Sequence, residues 1–368
     1  MPNDHSAAPA IAALGEFPLI ARLAARVPRA TAPSGAAGLY LGIGDDAAVW
    51  LPTPHTASVV TADALIEDVH FRRATIRARD LGWKSLAVNL SDIAAMGARP
   101  RYAVVTLALP ADTPLAWFDE FHAGLCEAAA AHQTLLVGGD LTSGSLVAIS
   151  VTVFGETAPL RDGAPPLLRR DAARPGDQVA VTGVLGAAAG GLQLLERARA
   201  AGTDLATLEE HATADEAALL AAHWRPQPRL GPAATLLASG VHCAMDLSDG
   251  LLGDARRIAE ASGVRITLEA PRVPIAPALQ RRFAADALAL ALGGGEDYEL
   301  LCTAPPAVLA AASAALAREH GLALTVVGRV EAAAGAPAVR VVDAAGAPLP
   351  LHGGFTHFQA PATESHRA

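Results

Sequence analysis

Leu41-Gly-Ile-Gly-Asp-Asp-Ala-Ala-Val49 is the stretch on which the reading of this chain turns. Two glycines give the backbone angles that other residues resist, and two adjacent carboxylates follow before an apolar run resumes. Acids so placed are costly to bury alone, so water, a cation or a basic partner must meet them. Similar acidic corners recur at Thr61-Ala-Asp63, Asn89-Leu-Ser-Asp92, Gly138-Gly-Asp140, Asp246-Leu-Ser-Asp249 and Gly293-Gly-Gly-Glu-Asp297. Singly, each is ordinarily a turn or a helix cap. Their number, and their position after apolar strands where α/β folds place binding groups, predicts convergence on one site. There magnesium would meet a nucleotide's phosphates.

The chain has 368 residues, 52% hydrophobic and 18% charged, which describes a folded protein with room for two domains. A net charge of −9 argues against nucleic acid or an anionic membrane as partner. Lys84 is the single lysine; arginines supply every other fixed positive charge. Cys126, Cys243 and Cys302 lie far apart with no CxxC spacing, so neither a disulfide framework nor a zinc site is expected. A reducing cytoplasm is then the default compartment. The sequence carries no secretory pattern at its amino terminus and no apolar run of membrane-spanning length.

Outward from the opening stretch, strand and helix alternate. Ser58 to Ala62 reads as a short strand delivering Asp63. Asp80 is the expected N-cap of a helix to Met96, with Ser85, Asn89 and Asp92 on one polar stripe. Strands follow at 102–109, 134–137 and 146–154, with a helix at 114–132. Prolines, glycines and arginines crowd residues 157–177, the clearest boundary. Beyond it, strands are read at 178–182, 243–245, 265–269, 298–303, 322–330 and 339–343. Helices are read at 185–201, 203–225, 232–239, 248–261, 277–290 and 306–319. The expectation is an α/β fold, with an amino-terminal domain over residues 1–160, a second α/β domain over 170–358 and a tail at 359–368.

Carboxylates without accompanying His or Cys favour magnesium or calcium over zinc, and magnesium is commonly shared with substrate phosphates. Phosphoryl transfer asks the protein mainly to align groups and neutralise charge. The sequence has no G-x-x-x-x-G-K-[ST], and Lys84 lies in a predicted helix, not in a glycine-rich loop. Metals and arginines would therefore carry the positive charge.

The motifs Gly42-Ile-Gly-Asp-Asp46, Thr61-Ala-Asp63 with Val69-His-Phe71, and Lys84-Ser-Leu-Ala-Val-Asn-Leu-Ser-Asp-Ile-Ala-Ala-Met-Gly97 occur in one order. Gly138-Gly-Asp140, Asp246-Leu-Ser-Asp-Gly-Leu251 and Gly294-Gly-Glu-Asp-Tyr-Glu-Leu300 continue them. With Gly15-Glu-Phe17 and Gly354-Phe-Thr-His-Phe358 at either end, the chain resembles the thiamine-monophosphate kinases of the aminoimidazole-ribotide-synthetase-like superfamily. The resemblance implies a two-domain fold whose amino-terminal mixed sheet and helices pair into a homodimer. It also implies ATP-dependent phosphorylation of thiamine phosphate to thiamine diphosphate by direct transfer.

By the same resemblance, magnesium ligands fall at Asp46, Thr61, the Ala62 backbone, Asp63, Asp92, Asp140, Asp246 and Asp249. Of these, Asp46, Asp92, Asp140 and Asp249 serve the transferring phosphoryl group. Nucleotide contacts fall at Gly139, Asp140, Arg170, Ser248 and His122, where relatives often carry an aromatic. Thiamine phosphate would meet His70, Glu296 and Phe355. Glu296 could pair with the cationic thiazolium or accept from the aminopyrimidine. Ala62 and Leu141-Thr-Ser143 depart from the family pattern. Two rival readings stand beside this one: an aminoimidazole-ribotide synthetase, and a non-catalytic magnesium–nucleotide sensor.

Overall fold

Apolar spacing that switches between strand and helix periods builds two sheets, each covered by helices. A computed structural model describes residues 10–27 and 38–350. In chain order the first part holds α1 (Glu16–Arg26), a hairpin of β1 (Leu39–Leu41) and β2 (Val49–Trp50), β3 (Ser58–Ile66), α2 (Ala78–Ala95) and β4 (Arg99–Leu109). It continues with α3 (Leu115–Ala131), β5 (Leu135–Ser143) and β6 (Ala148–Glu156). The second part holds β7 (Gln178–Thr182), α4 (Ala187–Ala200), α5 (Leu205–His211), α6 (Ala214–Trp224), α7 (Leu230–Ala238), β8 (Cys243–Asp246) and α8 (Leu251–Ser262). Then come β9 (Val264–Glu269), α9 (Pro277–Arg282), α10 (Ala287–Gly293), β10 (Leu300–Ala304), α11 (Pro306–His320), β11 (Leu324–Ala332), β12 (Ala338–Val342) and β13 (Pro348–Leu349).

The first sheet runs β3-β6-β4-β5, antiparallel except for the parallel pair β4–β5. Leu86, Leu90 and Ile93 of α2 and Phe118, Phe121 and Leu125 of α3 cover it, packing on Ile149, Val151 and Val153. The two helices cross backbone to backbone. A Cβ on Gly82 would stand 1.9 Å from the Phe121 carbonyl oxygen, and one on Gly124 would stand 1.7 Å from that of Arg79. The second sheet runs β13-β12-β9-β11-β7-β10-β8, mixed through the parallel pair β9–β12. Helix α8 packs on one face through Ile258 and Ala255, and α7 and α11 on the other through Leu236, Leu309 and Leu316.

Helix α2 sits between the two parts. Its predicted polar stripe faces β3 of the first part, where Asn89 and Asp92 meet Asp63 and Thr61, while Ser91 and Lys84 meet the second part, so the helix is buried on nearly every side, Lys84 included. Leu219, Leu220 and Trp224 of α6 join the same apolar cluster as Leu86 and Phe118. Two indoles tie the halves reciprocally: Trp83 Nε1 donates to the Pro226 carbonyl and Trp224 Nε1 to that of Thr75, each at 2.9 Å.

Several elements differ from the sequence reading. Strand β3 does not stop at Ala62 but pairs with β6 as far as Ile66, which places Thr61 to Asp63 inside an edge strand. An acid is tolerated there because only one side of the strand is paired. Gly138 to Asp140 likewise lie within β5; a Cβ on Gly139 would come 2.0 Å from the Val105 carbonyl, so glycine serves the approach of β5 to β4. Asp80 is not the cap of α2. Arg77 precedes the helix, and Asp80 in the first turn takes the Arg225 guanidinium. The helix read at 203–225 is split by a capping box: Thr213 Oγ1 accepts from the Glu216 N–H at 3.3 Å, and Glu216 Oε2 accepts from the Thr213 N–H at 3.0 Å.

Candidate active site

The junction between the two parts is built on α2, which bonds β3 on one side and β8 on the other. Alternation along β3 turns Thr61 and Asp63 to one face and Ala62 to the other, so only the Ala62 backbone is shared with that face. Thr61 Oγ1 donates to Asp92 Oδ2 at 2.5 Å, and the Asp63 N–H donates to Asn89 Oδ1 at 2.9 Å. From the same turn of α2, Ser91 Oγ donates to Asp246 Oδ2 at 2.7 Å at the end of β8. One helical turn thus holds acids of both sheets.

Beyond β8, Ser248 and Asp249 do not cap a helix. Gly250, at φ +99°, is the residue before α8 and makes no side-chain cap. The Asp249 N–H donates instead to Asp254 Oδ2 at 3.1 Å, and the Asp249 carboxylate takes the Arg257 guanidinium.

These carboxyls feel one another. Asp63 keeps surface open to solvent, yet lost hydration, then the charges of Asp92 and Asp249, push its carboxyl up to about 6. Asp246 is pushed up to about 7 by burial and then by Asp92, with Ser91 opposing. Burial also raises Asp92, while the Thr61 hydroxyl and the Arg170 guanidinium pull the other way. Asp254, wholly enclosed, rises to about 8 through burial and then through Asp246 and Asp249. Its Oδ1 has no hydrogen-bond partner among the described residues. An all-oxygen donor set under mutual repulsion is the chemistry a hard divalent cation relieves. Among the described residues, no three such side chains are drawn around a single point.

The glycine-rich stretch at 293–299 closes the junction on the other side. Glu296, at φ +72°, sends its N–H to the Ser248 carbonyl at 2.8 Å. Its carboxylate lies 2.7 Å from Lys84 Nζ and 3.1 Å from His223 Nδ1. Burial alone would raise Glu296, but Lys84 and His223 outweigh it and hold the carboxyl well below the usual range. Asp297 accepts from the Gly186 N–H at 2.7 Å at the start of α4, and burial pushes it up to about 7.

The other expected residues stand on neighbouring loops, strands and helices. Asp46 is exposed in the β1–β2 loop, and Gly139 and Asp140 are exposed on β5. Arg170 is exposed in the connection before β7, near enough to act on Asp92. His70 Nδ1 accepts from the Ile66 N–H at 3.0 Å, which leaves the proton of the neutral ring on Nε2. His122 lies in α3 against Phe118 and Phe121, its Nδ1 2.8 Å from the Phe118 carbonyl; burial lowers it to about 4. Phe355 and the tail at 359–368 lie outside the described residues. Sequence reasoning missed Lys84, His223, Asp254 and Arg257. The single lysine of the chain, set within a helix pattern beside Trp83 and Leu86, was the available signal for the first.

Acids of two sheets meeting across a helix define a class. Residues 44–157 match the family "AIR synthase related protein, N-terminal domain" and residues 174–339 match "AIR synthase related protein, C-terminal domain". Within that class the chain belongs to the thiamine-monophosphate kinases. It is 37% identical over 324 residues to the thiamine-monophosphate kinase of Escherichia coli K12, covering 87% of this chain and 91% of that protein. The crystal structure of the thiamine-monophosphate kinase from Stenotrophomonas maltophilia K279a superposes with a TM-score of 0.75 at 40% identity, covering 89% of this chain and 96% of that one. A structure described as AaThiL complexed with AMPPCP and TMP gives 0.70 at 31% identity, covering 84% and 89%.

Proposed function

We infer that the protein transfers the γ-phosphoryl group of ATP to thiamine phosphate, giving ADP and thiamine diphosphate. The observation that carries this reading is the meeting of Asp63, Asp92, Asp246 and Asp249 from both sheets, in a chain related to a protein complexed with AMPPCP and TMP. A phosphate oxygen of thiamine phosphate attacks the γ-phosphorus in line as the bond to ADP breaks, without a phosphoenzyme. The donor set fits magnesium: Asp46, Thr61, the Ala62 backbone, Asp63, Asp92, Asp140, Asp246 and Asp249 would hold the ions. Bound there, magnesium would neutralise the charge gathering on the phosphoryl oxygens.

The protein's own groups do the positioning. Thr61 and Asn89 fix Asp92 and the Asp63 backbone relative to each other; Ser91 fixes Asp246. Asp46, Asp92, Asp140 and Asp249 serve the transferring group. Gly139, Asp140, Ser248 and Arg170 take the nucleotide, the guanidinium gripping phosphate oxygens. His122, held neutral, would offer the nucleotide a flat ring, not a charge. His70 would donate from Nε2 to the phosphate of thiamine phosphate, with Glu296 and Phe355 on its rings. Residues 1–160 would form the nucleotide and dimerisation domain of a cytoplasmic homodimer, and 170–358 the second domain. Among the described residues no helix is long and apolar enough to cross a membrane.

The test is ADP release with thiamine, thiamine phosphate and formylglycinamidine ribotide while magnesium is varied. Magnesium-dependent release with thiamine phosphate is expected. Release with the ribotide alone would make the chain an aminoimidazole-ribotide synthetase, and tight ATP binding without turnover would make it a sensor.

A further inference from the structure

The charge group around Glu296 has a composition that the family motifs do not predict. Lys84, the single lysine of the chain, is 1% exposed, and its ammonium has two recorded acceptors. These are Glu296 Oε1 at 2.7 Å and the His223 carbonyl at 3.1 Å. His223 brings its ring to 3.1 Å from Glu296 Oε2. Burial and then the Lys84 charge hold that ring below the ordinary imidazole value. Within the group, the one fixed cation, Lys84, stands directly against the one anion, Glu296.

The geometry of Glu296 is fixed as firmly as its charge. Its left-handed backbone follows two glycines wedged against neighbours. A Cβ on Gly294 would stand 2.3 Å from the Ala189 Cβ, and one on Gly295 would stand 2.5 Å from the Ser248 carbonyl oxygen. The Glu296 N–H is tied to that same carbonyl. Lys84 approaches from α2, in the other half of the molecule. A carboxylate has about four lone-pair directions, and these neighbours take only part of them. The side chain is still 27% exposed, so acceptor capacity remains while counter-charge does not.

We propose that Lys84 and His223 are positioning residues of the acceptor-substrate site: Lys84 neutralises Glu296 and the two side chains together hold its carboxylate in place, so that it receives thiamine phosphate as a hydrogen-bond acceptor for the aminopyrimidine and not as the counter-charge of the thiazolium. This rests on the reading that Glu296 lines the thiamine phosphate site. Removing a donor from a ligand leaves a charged acceptor unmatched, which is heavily penalised, whereas removing a distant, already compensated charge is not.

The experiment uses the unaltered enzyme with two analogues of thiamine phosphate. One carries an oxo group in place of the pyrimidine amino group; the other carries a neutral thiophene in place of the thiazolium. The amino-to-oxo exchange should raise KM about tenfold or more, and the thiophene exchange no more than about threefold. Any other pattern overturns the proposal, including equal penalties, no penalty, or a larger loss with thiophene. Lys84→Met should raise KM for thiamine phosphate about tenfold, leave KM for ATP within about twofold, and erase the preference for amino over oxo. A folded Lys84→Met enzyme that keeps that preference also overturns it. Glu296→Gln separates the two layers. If its KM for thiamine phosphate is unchanged, the underlying placement of Glu296 fails; if it rises while that of Lys84→Met does not, only the present proposal fails.

Discussion

Helix α2 carries two charged regions of opposite character. Toward its carboxyl end, Asp92 stands with Asp63, Asp246 and Asp249, and the carboxyls of Asp63, Asp92 and Asp246 are raised. Two turns earlier, Lys84 compensates Glu296, whose carboxyl is held low. The fold fully pairs the acid in one region; in the other, Arg257 and Arg170 offset only part of the repulsion, and a bound cation would relieve the rest. A compensated acid can sort ligands by hydrogen bonds; an uncompensated cluster selects for cations.

The contrast breaks most visibly where a partner is removed. Lys84→Met, which leaves the half-buried Glu296 without its cation, should cost about 2–3 kcal/mol in denaturant unfolding, less than a fully buried pair. The double variant with Glu296→Gln should recover much of that, and strictly additive losses would deny the coupling. Asp92→Asn removes a charge from the cluster that repels its neighbours. Turnover should fall by about two to three orders of magnitude with the fold retained. Near-normal turnover at limiting magnesium would end that role.

Magnesium sharpens the comparison. At about a hundredfold excess over its Kd it should stabilise the wild type by about 2.7 kcal/mol. Asp246→Asn should lose most of this gain, and a variant at Lys84 that still folds should keep it. His122 is a control away from both regions. Its folded pKa, about 4, lies below the ordinary imidazole value of 6.5, so the unfolded chain binds the proton more readily. Stability is therefore full above the unfolded value and falls as pH drops toward 4. The loss from pH 6.5 to 5 should be about 2 kcal/mol, and His122→Phe should flatten that slope in thermal melts. An unchanged slope would place the titration elsewhere.

The alternation of strands and helices was legible because each element keeps its own apolar period, and the acids stood in short linear motifs. Position within the elements was not. Asp63 looked like the end of a strand, because an edge strand tolerates an acid that a central strand would not. Ser248-Asp249 looked like a helix cap, but Gly250 turns the chain before the helix begins. The break at Thr213 carried its own signal, Thr-Ala-Asp-Glu, and was overlooked within a longer helical pattern. The tie of Lys84 to Glu296 joins residues far apart in the chain, and no local spacing marks it. That Asp46 and Asp140 stand exposed was equally invisible to sequence.

Gly82 and Gly124 set the closeness of α2 and α3, since one added methyl at either would strike backbone. Lys84 and Asp92 ride on the same rigid rod as Gly82. A substitution at that crossing would displace Lys84 and Asp92 together, so if the two ends of α2 serve acceptor and metal as proposed, those two specificities could not drift independently through this contact. Variation that retunes the acceptor without disturbing the donor must arise on the Glu296 loop or on α6.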